Sequence, residues 1–166
     1  MATNDLLQKL DGGADFGVTT SNRRQTEVFI AKETVAVGDW VALDYGATDD
    51  GDVTLGIFKA DGNSNPVRTP FGVVVGTLDT TLAGAADLTT GARIEVCIKG
   101  VCNALFAANG SGADYPLGTL MQVTNNAGEA GVAAAGSAQP VCGILAQVQP
   151  NGAGAQLRRV VVRKSF

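Results

Sequence analysis

A glycine-led strand module occurs twice in this chain, and that repetition most constrains what it can fold into. The first copy reads Val37-Gly38-Asp39-Trp40-Val41-Ala42-Leu43 and continues at Phe71-Gly72-Val73-Val74-Val75-Gly76. The second reads Leu117-Gly118-Thr119-Leu120-Met121-Gln122-Val123 and continues at Cys142-Gly143-Ile144-Leu145-Ala146. In each case a turn glycine feeds a short apolar run, which is how a hairpin-rich β domain lays down its core. The 22 Gly and 5 Pro among 166 residues extend that reading to the whole chain, because helix formers are scarce beyond the first ten residues. The length suits one domain with an arm, large enough to bury a core without disulfide staples.

The chain has no histidine. Serine and cysteine nucleophiles activated by that side chain are therefore excluded, and a structural or binding body is expected rather than an enzyme. Net charge is -4, with 12 Lys and Arg against 16 Asp and Glu, which argues against a nucleic-acid partner. Arg158, Arg159, Arg163 and Lys164 fall in the last nine residues, so the other 157 carry 8 bases and 16 acids, a net of -8. The valines Val160, Val161 and Val162 between those bases predict a buried final strand with solvated flanks rather than a binding tail. No run approaches the roughly 20 apolar residues of a membrane helix, and the first residues lack the pattern of a secretion signal, so no membrane association is expected and synthesis in the cytoplasm is. Three cysteines, Cys97, Cys102 and Cys142, without a C-x-x-C spacing read as reduced packing residues rather than a disulfide framework or a zinc site.

Residues 1–27 differ from the rest and predict an extended arm, with a short helix over 4–10 that needs a surface to lean on. Leu6, Leu7, Leu10 and Phe16 would be its apolar anchors, with Arg23 and Arg24 at its end, docking on a neighbouring subunit; a plain tail is the alternative. Residues 28–166 predict a single β domain. Strands are expected over Val28–Leu43, Val53–Ala60, Phe71–Leu78, Arg93–Lys99, Val101–Ala108, Leu117–Thr124, Val141–Val148 and Gln156–Arg163. Within 93–99, Arg93, Glu95, Cys97 and Lys99 should face one way and Ile94, Val96 and Ile98 the other, the run ending at Gly100. Thr80–Gly91 reads as a small-residue connector, and Asn125–Ser137 as a low-complexity stretch with little side chain to bury.

Chemistry-bearing patterns are few. Asp39, Asp44, Asp49, Asp50 and Asp52 form a run without a base, read as an exposed acidic loop whose Asp49–Asp52 part could hold a hard cation loosely or be a solvated turn. Asp61-Gly62-Asn63-Ser64-Asn65 imitates the opening of a calcium loop, but Pro66 stands where that loop needs glycine and Gly72 where it needs a bidentate glutamate. No phosphate-cradling glycine motif is present, and Asn109-Gly110-Ser111 fits a glycosylation acceptor only by chance.

The succession Gly38-Asp39-Trp40-Val41-Ala42-Leu43, Phe71-Gly72-Val73-Val74-Val75, Gly91 to Val101, Leu117-Gly118-Thr119-Leu120-Met121 and Cys142-Gly143-Ile144-Leu145-Ala146 resembles the capsid decoration, or cement, proteins of tailed bacteriophages over roughly Val35 to Arg163. The 44–70 segment is longer than that pattern, and the amino-terminal arm is an addition to it. The resemblance implies an all-β, β-tulip-like barrel or sandwich that forms a homotrimer on the outside of an icosahedral head and clamps the major capsid protein. It implies no catalysis and no cofactor, and makes the capsid an alternative docking partner for the arm residues Leu6, Leu7, Leu10, Phe16, Arg23 and Arg24. A trimeric phage fibre or receptor-binding module is the rival reading, and would want Trp40, Tyr45 or Tyr115 exposed at a tip. A small carbohydrate-active enzyme is the third, and lacks paired carboxylates in a recognisable setting.

Overall fold

The computed structural model describes residues 24–44, 56–63, 68–136 and 140–163. Its strands in chain order are β1 (Gln25–Ala31), β2 (Val35–Ala36), β3 (Trp40–Leu43), β4 (Gly56–Lys59), β5 (Gly72–Thr77), β6 (Asp87–Leu88), β7 (Arg93–Phe106), β8 (Leu120–Val123), β9 (Ala130–Val132), β10 (Gly143–Leu145) and β11 (Gln156–Val162). Apart from one 3₁₀ turn at Thr80–Leu82, the described regular structure is all β.

Nine strands form one sheet in the order β1-β4-β3-β5-β7-β11-β10-β8-β9, and it closes on itself twice because β1 also pairs with β7 and β7 with β9. The result is two five-stranded barrels that share β7. One comprises β1, β4, β3, β5 and the first half of β7. The other comprises the second half of β7 with β11, β10, β8 and β9.

The glycine-led modules occupy matching places in these barrels. Trp40 opposes Val73 and Val41 opposes Gly72 in the first; Leu120 opposes Ile144 and Met121 opposes Gly143 in the second. Leu43↔Ile57 matches Val123↔Ala130, and Phe29↔Ile94 matches Ala104↔Arg158. Each barrel contains one parallel strand pairing among otherwise antiparallel ones, β1 with β4 (Ile30↔Gly56, Ala31↔Ile57) in one and β7 with β9 (Phe106↔Ala130) in the other. Thus β1, β3, β4, β5 and β7 correspond to β7, β8, β9, β10 and β11, and β7 serves as the last strand of one unit and the first of the next. The sequence repeat is a repeat of register and topology as well as of residue type.

Gly100 makes the sharing possible. It does not end the run of β7, as the sequence suggests, but sits inside a continuous 14-residue strand with φ of 101°. A left-handed φ within a strand is readily adopted only by glycine, and the register of β7 against β1 shifts just before it, between Cys97 and Lys99. Ile94, Val96 and Ile98 fill the first barrel, while Cys102, Ala104 and Phe106 fill the second. Cys97 also departs from expectation. It faces away from the first interior with Glu95, yet is fully buried, because the outer face of the first barrel at that point is covered by the second.

The first interior holds Phe29, Ala31, Val41, Ile57, Val74 and the three β7 residues, joined by Val35 and Leu88 from the β2–β6 ribbon and by Phe71, edge-on to Phe29 at 5.1 Å. Leu88 gives the 80–91 connector a core residue that its composition did not advertise. The second interior holds Ala104, Phe106, Met121, Val123, Ala130, Leu145, Val160 and Val162, and its cluster runs on into Trp40, Ala42, Val73 and Cys97 of the first barrel's outer face. Trp40 reaches furthest, its indole edge lying 3.0 Å from where a Cβ on Gly143 would stand.

Four further readings are corrected or refined. The first described strand begins at Gln25, three residues before Val28, because Gln25 to Glu27 already pair along β7. The 125–137 stretch contains β9, and Ala130 is fully buried in it. Val160 and Val162 are buried in the final strand as expected, whereas Val161 is half-buried on its outer side. Asp39, placed in an exposed acidic loop by the sequence, is buried at the start of β3. Its Oδ2 accepts the Ala36 N–H at 2.8 Å and pairs with Lys59 Nζ at 3.1 Å. The proposed helix at 4–10 and Asp49, Asp50 and Asp52 lie outside the described residues.

Candidate interaction surface

Several of the described carboxylates have structural partners. Glu33 Oε1 accepts from the Lys59 backbone and faces Arg68 Nη1 at 3.4 Å. Glu129 accepts from the Thr124 hydroxyl and the Asn126 amide. Asp79 accepts the Arg93 N–H at 2.8 Å and its side chain at 3.3 Å, and the backbone bond is the main reason that its pKa lies below the ordinary carboxylate value. A depressed value means the contact stabilises the fold above the unfolded carboxylate pKa and is lost as pH falls through the lowered one. No group of three or more metal-ligating side chains occurs among the described residues.

Asn109 is buried, and its Nδ2 donates to the carbonyls of Ala113 and Gln149, so both amide hydrogens are engaged in the folded state. Gln149, also buried, binds the carbonyls of Ala107 and Gly154 through Nε2 and receives Gln156 and Arg158 at Oε1. Both amides knit the 107–115 and 147–156 loops together. Asp61 of the calcium-loop imitation accepts the Asn63 N–H at 2.8 Å, closing a local turn.

All three cysteines are buried free thiols. Cys102 donates toward Cys97, which holds the Cys97 pKa below the usual thiol value and drives that of Cys102 up, while burial raises Cys142 to about 12. Thiols enclosed in the core are reached slowly by reagents. An aromatic disulfide reagent should therefore label the native protein only as fast as it opens, and should find three thiols in denaturant. Immediate native labelling of Cys142 would contradict this packing.

Leu6, Leu7, Leu10, Phe16 and Arg23 lie outside the described residues. Arg24 is exposed and leads directly into β1, whose first residue opposes Lys99, next to Gly100. Its positive charge acts on both Cys97 and Cys102. Of the aromatics considered for a fibre tip, Trp40 is fully buried, Tyr115 packs edge-on to Phe106 at 6.0 Å, and Tyr45 lies outside the described residues.

The surface that sequence reasoning missed is the outer face of the second barrel. The corresponding face of the first barrel is used up internally. There Gly128, from the β8–β9 connection, wedges into the β3–β4 ladder: Ala60 N–H donates to the Trp40 carbonyl at 2.8 Å, Trp40 N–H to the Gly128 carbonyl at 2.9 Å, and Gly128 N–H to the Ala60 carbonyl at 2.8 Å. Only glycine fits that wedge, since φ is 82° and a Cβ would lie 3.0 Å from the Asp39 carboxyl carbon. In the second barrel Ala133 N–H donates to the Leu120 carbonyl at 2.8 Å, the counterpart of the first bond. Neither of the other two counterparts is among the backbone bonds of the described residues. Leu120, the positional equivalent of Trp40, is 46% exposed where Trp40 is 0%. Gln122, Ile144 and Val161, equivalents of Ala42, Val73 and Cys97, are half-buried, and Arg159 and Arg163 flank them in the open. Nothing in the residue types marks this face; only the alignment of the two repeats by register reveals it.

No family profile matches the chain, and no curated protein does. Among solved structures, it is similar to the head fiber gp8.5 N base in bacteriophage phi29, at 19% identity and a TM-score of 0.47, over 86% of this chain and 96% of that one.

Proposed function

We propose that this chain is a structural protein of a tailed-phage virion, a decoration protein that sits on the outer capsid surface as a homotrimer and braces neighbouring major capsid subunits. It would be made in the host cytoplasm, and would need no cofactor and catalyse no reaction. The observation that supports this reading is the way the decoration-like glycine pattern is used. Gly38 and Gly118, Gly72 and Gly143 hold paired positions in two fused barrels. Glu33, Asp39, Asp61, Asp79, Asp114 and Glu129, meanwhile, are committed to turns, loop contacts and ion pairs. A body of this kind offers area rather than chemistry, and repetition over a shell turns modest contacts into strong attachment. The buried Trp40 counts against a receptor-binding tip built on exposed aromatics.

Purified protein mixed with undecorated phage heads should bind at saturable occupancy and raise the temperature at which the heads release DNA. Heads that neither bind it nor gain heat resistance would overturn the proposal. The arm is tested by deleting residues 1–23, a cut that spares β1. Occupancy should fall while the β body keeps its circular dichroism and melting temperature; unchanged occupancy would place docking on the body alone.

A further inference from the structure

Two of the three buried thiols meet at the junction of the barrels. Five residues apart on one straight strand, Cys97 and Cys102 would stand about 16 Å from each other. They are brought together because β7, with left-handed Gly100 between them, carries the second barrel over the outer face of the first. Trp40, Val73 and Cys97 make a row across that face, and Gly143, Val162 and Gly100 make a row across the barrel that covers it. The Trp40 ring rests against Gly143 at one end of the two rows, and β7 joins them at the other. Cys97 and Cys102 belong to the same buried cluster there, the Cys102 thiol hydrogen-bonds to that of Cys97, and Cys97 Sγ lies 3.4 Å from the Lys99 carbonyl oxygen. The repeat does not call for sulfur at either place, since Val161 and Glu27 hold the equivalent positions.

We propose that Cys97 and Cys102 are a redox modification site, at which a peroxide closes an intrachain disulfide that staples the two barrels at their shared strand. This does not depend on the capsid reading. A hydrogen-bonded thiol pair needs only a further approach of its sulfurs, to about 2.05 Å, to become a disulfide. A reducing cytoplasm holds the pair as thiols, and an oxidising exterior closes it.

Cys97 is the attacking group. The hydrogen bond from Cys102 and the positive charge of Arg24 both favour its thiolate. That thiolate attacks one peroxide oxygen: an S–O bond forms, the O–O bond breaks, and the departing hydroxide takes the proton that Cys97 gave up and leaves as water. Cys102 then gives up its proton and attacks the Cys97 sulfur. The S–S bond forms, the S–O bond breaks, and hydroxide leaves with the Cys102 proton as a second water. Two thiols lose two electrons and two protons in all, and one peroxide becomes two waters. Cys102 keeps 7% of its surface exposed, and a peroxide is small enough to enter where an aromatic reagent is not. Cys142 stands apart, its thiol engaged by the Met121 carbonyl at 3.4 Å.

The test exposes the reduced full chain to hydrogen peroxide, blocks the remaining thiols in denaturant and maps the peptides without reductant. Of three thiols one should remain, at Cys142. Trypsin cuts after Lys99, between the pair, and chymotrypsin cuts after Phe106, between Cys102 and Cys142, so a linked Cys97–Cys102 peptide identifies the bond. A thiol reductant should restore all three. The unfolding equilibrium constant in urea should fall about tenfold on oxidation, because the bond restricts the unfolded chain. Cys102→Ala removes the resolving thiol and should let Cys97 run on to the sulfinic acid, which a thiol reductant does not reverse. If that variant fails to fold, the wild-type mapping decides by itself. Three thiols after peroxide, a bond to Cys142, or bonds between chains in place of the internal one would overturn the site. A Cys97–Cys102 bond that leaves the unfolding equilibrium unchanged would overturn the staple.

Discussion

Trp40→Ala is expected to destabilise the protein by about 3–5 kcal/mol, the range for truncating a large, fully buried aromatic. Domains of this kind retain only about 5–15 kcal/mol of net stability, so the loss is a large share of the whole. The cost arises at the junction of the barrels rather than inside either one. The indole belongs to the outer face of the first barrel but fills space beside Gly143 in the second, so its removal leaves a void that neither barrel can close by collapsing on its own axis. Urea denaturation followed by circular dichroism is the appropriate measurement, since Trp40 is the only tryptophan and its fluorescence disappears with it. A loss below about 1 kcal/mol would mean that the junction is looser than described. In the wild-type protein that lone indole, fully buried with its Nε1 unpartnered, should emit at the blue end of the tryptophan range.

Gly72→Ala and Gly143→Ala should each cost about 2–3 kcal/mol, at the upper end of what overpacking a core by one methyl produces. A Cβ at Gly72 would stand 2.9 Å from the Cys97 carbonyl oxygen and 2.5 Å from a Val96 methyl. At Gly143 it would stand 2.9 Å from the Val161 carbonyl oxygen and 3.0 Å from the Trp40 ring. Cys97 and Val161 are themselves equivalent positions, so the same steric rule is written twice. A backbone carbonyl fixed in a ladder cannot swing aside as a flexible side chain would. Gly118→Ala is the control, with φ of 87° and open space around it; only the left-handed backbone penalises the methyl there, by about 1–2 kcal/mol. Equal losses at Gly143 and Gly118 would refute the steric explanation.

Much of the fold could be read from the residues because local signals and tertiary demands coincide. Turn glycines before apolar runs located β3, β5, β8 and β10, and the alternation of Ile94, Val96 and Ile98 located the first half of β7. The reading failed where the decisive partner is remote in sequence. Gly100 looks like a stop because a strand glycine usually marks a break; continuity through it depends on β11, more than fifty residues on, pairing with the second half. Cys97 looked solvent-facing because alternation describes one sheet face against water, and here the other face meets a second barrel. Ala130 looked inconsequential because alanine signals little by itself. Asp39 looked solvated in a run of acids, yet Lys59 and the Ala36 N–H give it a buried role. The outer face of the second barrel was illegible for the same reason: Leu120 reads as an ordinary strand leucine until its register partner Trp40 is known.

Sharing β7 also determines what counts as a separable part. Two barrels built independently would need ten strands, and these need nine, so no cut in the chain yields two complete halves. A fragment that keeps β7 takes the closing wall from whatever lies on the other side, and the remainder is left with an open sheet whose edges must find a partner or aggregate. The duplication visible along the chain therefore does not make two domains in the thermodynamic sense. Unfolding should be a single event in which calorimetric and van't Hoff enthalpies agree, with neither barrel melting before the other.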